Sequence, residues 1–215
     1  MVKFEYGDEV DSDLCDAIKH EYLRTEDSFQ IFMSTSLAQL SSPNDRQLSL
    51  RNFNAYADFL LHLYEFLAGC CARDEKNTDI HSDARKRKAI LDNYINHYAQ
   101  LTMDTLRDVK LSADPPNWMN DIQFYDVKVP TNFSKDFRIV RNKICAHVSH
   151  LRIREIRLTD FYQHYHKFVF HLFKDQGYHW AGKGQPVPDL KEVTRFSVAV
   201  RSVAVRNEQP TFFKQ

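Results

Sequence analysis

Residues 53–71 read FNAYADFLLHLYEFLAGCC, a stretch in which apolar residues return every three or four positions. An α-helix turns once in about 3.6 residues, so this spacing gathers the apolar side chains on one face. The members of that face are Phe53, Ala57, Leu60, Tyr64, Leu67 and Cys71. The stretch therefore predicts a long amphipathic helix whose apolar face packs against other helices.

Similar stripes of apolar residues precede and follow this stretch. The first begins near residues 11–13, has one gap at Thr25 and ends before Ser41. Its members are Leu14, Ile18, Tyr22, Phe29, Met33, Leu37 and Leu40, and those of the following stripe are Leu91, Tyr94, Ile95, Tyr98, Leu101, Thr105 and Val109. Each stripe predicts a further long helix.

Two more helices are predicted after an irregular connection over residues 112–130, which contains SADPPN. Thr131 or Asn132 caps the fourth helix, and the fifth follows Thr159 and stops at Gly177. The fourth carries Phe133, Phe137, Val140, Ile144 and Val148, and the fifth carries Phe161, Tyr165, Phe168, Val169 and Leu172. Both sets have helical spacing.

Glycine is scarce in the first part of the chain. Only Gly7 and Gly69 precede Gly177, so a many-stranded β protein would lack the turns that it needs. The sequence thus predicts an all-α fold, in which residues 1–176 form a bundle of about five long helices.

Residues 177–215 form a C-terminal extension in which β character is expected. Apolar residues alternate between Val193 and Val205, with a change of phase near Arg201. The alternation predicts a short strand or hairpin. A lone strand needs a partner, either another subunit or the alternating Val2-Phe4-Tyr6 segment at the N-terminus.

The composition is that of a soluble protein. The chain has 215 residues, with 29 basic and 29 acidic side chains. No apolar run approaches the roughly 18 residues that span a membrane, and the N-terminus lacks a signal-peptide layout. The four cysteines lack the spacing of a zinc or redox motif, which favours reduced thiols. We therefore expect a cytoplasmic protein that does not enter a membrane.

The neutral total conceals an uneven distribution of charge. Residues 1–30 hold nine acidic and three basic side chains, whereas residues 135–157 hold seven basic and two acidic ones. A concentrated basic region fits contact with a polyanion, although basic runs also occur on helix faces that only contact solvent. The first part of this basic region, up to Val148, lies on the predicted fourth helix.

The fourth helix places a charge where an apolar residue is expected. On an ideal helix Arg141 falls within the apolar face and His147 falls on its flank. A buried guanidinium must be paired or lie in a wet cleft, so Arg141 requires an explanation. Two copies of the helix across a two-fold axis would bring both residue types together in one cleft.

Arginine and histidine at this spacing suit phosphate chemistry. Arginine keeps its charge and forks onto phosphate oxygens, while histidine gives or takes a proton near neutral pH. Asn142 is placed to orient either group or the phosphate by hydrogen bonding. The pattern predicts RNA cleavage without a metal. In this interpretation the catalytic residues are Arg141, His147 and Asn142. The residues that contact the RNA strand are Arg138, Lys143, Arg152 and Arg154.

Residues 141–147, RNKICAH, resemble the signature of the HEPN domains (higher eukaryote and prokaryote nucleotide-binding). That signature is an arginine, a polar residue and, after a total of four to six intervening positions, a histidine on a late helix of an all-α bundle. One departure is Ser149, because toxins of this family that pair with a nucleotidyltransferase antitoxin often carry tyrosine at that place.

The resemblance implies a metal-independent endoribonuclease that needs no cofactor, of the toxin or abortive-infection type. It implies attack by the ribose 2′-hydroxyl in the cleft of a homodimer, leaving a 2′,3′-cyclic phosphate and a 5′-hydroxyl. Arg141 and His147 would be catalytic and Asn142 supporting. RNA is the implied substrate, and an antitoxin or another regulatory protein is an implied partner.

Two other interpretations compete with the ribonuclease. In a non-catalytic helical scaffold, or interaction or nucleotide-binding module, Arg141 would pair with a buried acid and His147 would be a satisfied histidine. A metal site is disfavoured, because His164, His166 and His171 have spacings of two and five, which do not stack on one helical face.

Overall fold

The computed structural model describes residues 2–146, 157–180 and 190–205. The chain divides into two compact units, Met1–Gly182 and Lys183–Gln215. The α-helices of the described residues are α1 (Glu9–Ser41), α2 (Arg46–Asp74), α3 (Ala84–Lys110), α4 (Ile122–Tyr125), α5 (Phe133–Val140), α6 (Leu158–Trp180) and α7 (Lys191–Val205). A π-helix, Arg141–Ala146, continues α5, and an isolated antiparallel bridge joins Lys3 to Asn77.

The all-α prediction is confirmed, with a different number of helices. The described residues contain seven α-helices rather than about five, because a four-residue helix lies in the connection before α5 and the C-terminal segment is also helical. None of the helices in these residues is both long and apolar enough to cross a membrane.

The predicted C-terminal strand is wrong, because residues 191–205 form helix α7. The segment contains neither glycine nor proline, and Val193, Phe196 and Val200 follow one another at three- and four-residue steps. An alternating run that changes phase also has near-helical spacing, and here the helical period applies. The proposed N-terminal partner for the strand instead bonds to the α2–α3 connection, where Thr78 N donates to Val2 O at 3.0 Å.

Helix α2 forms the centre of the core of the first unit. Phe59, Leu60, Leu63, Phe66 and Leu67 are completely buried. Burial on several sides explains why the sequence of α2 is apolar well beyond one stripe. Aspartate side chains cap the three long N-terminal helices by accepting hydrogen bonds from backbone N–H groups of the first turn, and these caps are Asp8, Asp45 and Asp83.

The apolar stripe of α1 is buried only in its first two-thirds. Ile18, Tyr22 and Phe29 lie in the core, whereas Leu37 is 61% and Leu40 is 79% exposed. The stripe predicted the helix, because periodicity depends only on the chain itself. It overestimated the buried face, because burial depends on which neighbours reach that far.

Helix α6 continues through Gly177 and ends at Trp180. A Cβ atom at Gly177 would clash with the hydroxyl oxygen of Tyr22 on α1. This glycine therefore allows α1 and α6 to approach closely and does not act as a helix stop.

The acidic N-terminal segment pairs with the end of α2. Arg73 donates from Nε to Asp11 Oδ1 at 2.7 Å, and Gly7 N donates to Asp11 Oδ2 at 2.8 Å. The arginine first, and then the backbone donor, lower the pKa of Asp11 to about 2. Part of the excess negative charge of residues 1–30 is therefore paired with a cation inside the bundle.

Candidate functional site

The segment that resembles the ribonuclease signature begins in a π-helix. Phe133, Phe137 and Val140 bury the inner face of α5, and Ile144 continues that face. At Arg141 the hydrogen bonding changes from the α-helical to the wider i→i+5 pattern. Each residue of a wider turn advances by less than the 100° of an α-helix, so the angular positions predicted for an ideal helix apply only up to Val140. Single π-turns inside α-helices often occur at functional sites.

Arg141 lies partly buried against α2. Its Nη2 atom is in ion-pair contact with Glu65 Oε1, and Nη1 donates to Asn142 Oδ1 at 2.8 Å. The guanidinium carbon also lies 5.7 Å from the centre of the Tyr64 ring, which favours a cation–π interaction. The side chain is 25% exposed. Three neighbours thus orient the guanidinium while part of it stays accessible.

The pairing of Arg141 is incomplete. Its Nε atom is buried and has no hydrogen-bond partner among the described residues. Glu65 Oε1, although close to Nη2, also lacks a partner in hydrogen-bond geometry within that part of the chain. A buried donor without a partner costs free energy, so Arg141 is less well paired than a fully bonded arginine, and an incoming anion reaches only the exposed part of its guanidinium.

Glu65 is the functional neighbour that the sequence reasoning missed. It lies between the buried Tyr64 and Phe66 in helix α2, several of whose core-facing residues are completely buried. The signal was present, because a carboxylate inside one apolar stretch and a guanidinium inside another both need a partner of opposite charge. Periodicity alone could not show that these two turns face each other.

Arg138, three residues before Arg141, forms a complete pair with α3. Its Nε donates to Asp92 Oδ1 at 3.1 Å and its Nη2 donates to Asp92 Oδ2 at 3.0 Å. The two side chains are only 16% and 19% exposed. This two-pronged contact is the strongest form of an arginine–carboxylate pair. Arg138 was predicted to hold RNA, and in the structure its donors are directed at Asp92.

Lys143 is exposed and lines a cleft of about 780 Å³ between the π-helix and the start of α6. Arg157 and His164 line the same cleft, as do the carboxylates Asp136 and Asp160. Tyr165 donates a hydrogen bond to Asp136 at 2.7 Å. Two cations and two carboxylates balance one another, so Lys143 lies in a cleft without strong positive charge.

The remaining predicted site residues lie outside the described residues. These are His147, Arg152 and Arg154. The site built from the described residues therefore consists of Arg141, Asn142 and their neighbours on α2.

The histidines of α6 lie in separate environments. His166 Nδ1 is 3.1 Å from the Tyr56 hydroxyl, and burial first, then His171, lower the pKa of His166 to about 4. His171 packs edge-on against Phe124, and burial lowers its pKa too. Among the described residues, no group of three or more His, Cys, Asp or Glu side chains is placed to hold a metal ion.

The cysteine beside the motif is partly buried. Cys145 forms no disulfide, and neither do Cys15, Cys70 and Cys71. Burial raises the pKa of Cys71 to about 12, so this thiol is protonated at neutral pH.

No protein-family model matches this sequence, and neither a curated protein nor a solved structure matches the chain. The function of this chain is therefore inferred from its site.

Proposed function

We propose that the protein is a metal-independent endoribonuclease of HEPN type, a toxin or defence effector that cuts RNA in the cleft of a homodimer. The observation that carries the proposal is the state of Arg141. Its guanidinium is charged, oriented by three neighbours and accessible, with a buried Nε that has no acceptor in the described part of the chain. Such a group suits a transition state whose negative charge develops on phosphate oxygens.

The proposed reaction transfers the phosphoryl group within the RNA strand. The 2′-hydroxyl oxygen bonds to phosphorus, the bond from phosphorus to the 5′-oxygen breaks, and a 2′,3′-cyclic phosphate and a 5′-hydroxyl result. One proton leaves the 2′-hydroxyl and another joins the 5′-oxygen, and His147 serves one of these transfers. Arg141 stabilises the charge on phosphorus-bound oxygens, and Asn142 holds its Nη1.

The second candidate is a non-catalytic helical scaffold, which one observation favours. Arg141 contacts a carboxylate of a neighbouring helix, as a structural arginine does. In this alternative the pair with Glu65 stabilises the packing of the π-helix on α2, and the residual donors bind water.

A cleavage assay with matched variants separates the two. We expect the purified parent to cut a fluorescent RNA in EDTA and to leave cyclic phosphate ends. Arg141→Ala and His147→Ala should each slow cleavage by about 10³-fold, since each removes a group that acts in the transition state. Arg24→Ala is the control, because this arginine is exposed and on α1.

The scaffold is the better description if folded Arg141→Ala and His147→Ala proteins, judged by circular dichroism, cut RNA as fast as the parent. The proposed dimer is checked by light scattering during size-exclusion chromatography. A monomer with full activity would contradict the composite cleft.

A further inference from the structure

A second cleft, of about 510 Å³, lies between α1, α2 and the start of α6. Its described lining contains aromatic, hydroxyl and amide side chains and no charged one. Among its members are Gln39, Asn52, Phe53, Tyr56 and Tyr162. Such a lining suits an uncharged ligand with flat faces and polar edges, and does not suit a phosphate or a metal ion.

Asn52 presents an oriented amide to this cleft. Its Oδ1 accepts a hydrogen bond from Ser36 Oγ at 2.9 Å, and Thr35 Oγ1 lies at the same distance. These contacts fix the amide plane and leave Nδ2 without a partner among the described residues. The cleft therefore offers one fixed hydrogen-bond donor.

Gln39 offers the complementary group. Its Nε2 donates to Ser49 Oγ at 3.0 Å and to Pro43 O at 3.1 Å. Its Oε1 is buried and has no partner within the described residues. Because Oε1 lies beneath the surface, the side chain must rotate to bring this acceptor to a ligand in the cleft. Among the described residues of the wall, none accepts from Asn52 Nδ2 and none donates to Gln39 Oε1.

Two aromatic side chains provide partly exposed rings. The Tyr162 ring stacks on His166 at 4.4 Å with an interplanar angle of 17°, which holds it in place, and Tyr162 is 41% exposed. Phe53 is 37% exposed. A planar heterocycle stacks on such surfaces whichever base it belongs to. Hydrogen bonds from the protein to the polar edge of the base then distinguish one base from another.

This cleft is close to the π-helix. Tyr56, which lines it, is near enough to Cys145 for the two groups to interact electrostatically. Helix α2 carries both Tyr56 and the Glu65 that contacts Arg141. Nine positions, or roughly 14 Å of helix axis, separate Tyr56 from Glu65 and place the two on opposite faces of α2. A base in the cleft would therefore belong to a different nucleotide from the one whose phosphate lies at Arg141.

We propose that the cleft binds one unpaired nucleobase of an RNA strand, which stacks on Tyr162 and hydrogen-bonds to Asn52 and Gln39. The assignment of that base to a substrate RNA rests on the proposed ribonuclease function. An apolar side chain of a protein partner would leave both amides unsatisfied, so it fits the cleft less well.

The test measures binding of the four ribonucleosides to the full chain by saturation-transfer NMR and equilibrium dialysis. We expect one or two nucleosides to bind and the others to bind at least fivefold more weakly. Asn52→Asp keeps the acceptor for Ser36 but removes the donor, so it should weaken binding of the preferred nucleoside by about tenfold. Asn54→Asp is the matched control, since it adds the same charge at an exposed position of the same helix outside the cleft.

Tyr162→Leu should weaken the binding of every nucleoside that binds by about fivefold or more, because stacking does not depend on the identity of the base. The exposed Trp118, replaced by leucine, serves as its control. The proposal is overturned if no nucleoside binds, or if Asn52→Asp binds as the Asn54→Asp control does. Capture of a protein partner that depends on Tyr162, without nucleoside binding, would also overturn it.

The two proposals fail differently. If nucleoside binding depends on Asn52 but the protein cuts no RNA, the proposed base-binding cleft is supported and the proposed ribonuclease function is contradicted. If cleavage depends on Arg141 but the parent and Asn52→Asp have the same base preference, the ribonuclease function is supported and the base-binding cleft is contradicted.

Discussion

Arg138 and Arg141 lie three residues apart, and each contacts a carboxylate of a neighbouring helix, but the two pairs differ. Arg138 directs two donors at both oxygens of Asp92, and both side chains are mostly buried. Arg141 contacts one oxygen of Glu65, and its Nε has no partner in the described residues. The first pair is complete, while the second is incomplete and leaves part of the guanidinium exposed.

The difference separates structural charge from available charge. A complete, mostly buried pair is costly to break, since removal of one partner leaves the other charge unpaired. An incomplete pair exchanges one acceptor for another at lower cost. Counting cations along residues 135–157 treats both arginines alike, whereas the contacts assign them different roles.

The largest expected effect on stability comes from Arg138→Ala. It leaves Asp92 without its partner, so the free energy of unfolding should fall by about 3 kcal/mol. Arg141→Ala should cost about 1 kcal/mol, because its pair is incomplete and more exposed. Urea unfolding followed by circular dichroism measures both values. A larger loss for Arg141→Ala than for Arg138→Ala would reverse the comparison.

Acid should have a smaller effect on stability, and we expect it to come from a partly buried histidine of α6. Burial holds the pKa of His166 at about 4 against an ordinary 6.5, so the unfolded chain binds more protons between these values. This contribution to stability is complete above pH 6.5 and falls by about 2 kcal/mol as the pH drops to 4, with allowance for partial exposure.

Thermal unfolding of the parent and of His166→Phe at pH 7, 5.5 and 4 tests this expectation. The variant should lose the part of the pH dependence that His166 contributes and keep the part due to His171, whose pKa is also lowered. Equal losses of melting temperature in both proteins would show that His166 does not set this window.

The smallest expected effect sharpens the description of Arg141. Glu65→Gln keeps the shape of the side chain and removes its charge, so no carboxylate at this position competes with an RNA phosphate for Arg141. We expect RNA to bind about threefold more tightly at low salt, by fluorescence anisotropy, because local positive charge increases. Asp92→Gln, by contrast, should destabilise the fold without tighter binding. Weaker binding by Glu65→Gln would mean that Glu65 positions the guanidinium and does not compete for it.

The helices were predictable from sequence to the extent that they depend on local spacing. The stripe of residues 53–71 lies within α2, and the helix expected to begin near residues 11–13 begins at Glu9. The prediction of a C-terminal strand was wrong, because residues 193–205 fit two periods and spacing alone does not choose between them. The exposed Leu37 and Leu40 show the same limit, since spacing does not say where a neighbouring helix ends.

The candidate site was predictable in kind but not in contacts. An arginine in an apolar face had to be paired or in a cleft, and Arg141 is paired with Glu65. Which acid pairs with it depends on the register between α2 and the π-helix, and no local pattern contains that information. The base-sized cleft at Asn52 and Tyr162 was not predicted either, because its walls come from three helices distant in sequence.

The π-helix at Arg141–Ala146 makes this segment sensitive to the number of residues as well as to their kind. A π-turn closes its hydrogen bond one residue later than an α-turn, which is what a single-residue insertion into an α-helix produces. Deleting one residue here would restore the regular turn, rotating the chain beyond Ala146 by about 100° and drawing it back by about 1.5 Å relative to Arg141. Insertions and deletions, more than substitutions, would therefore decide whether a histidine six positions after this arginine can act with it.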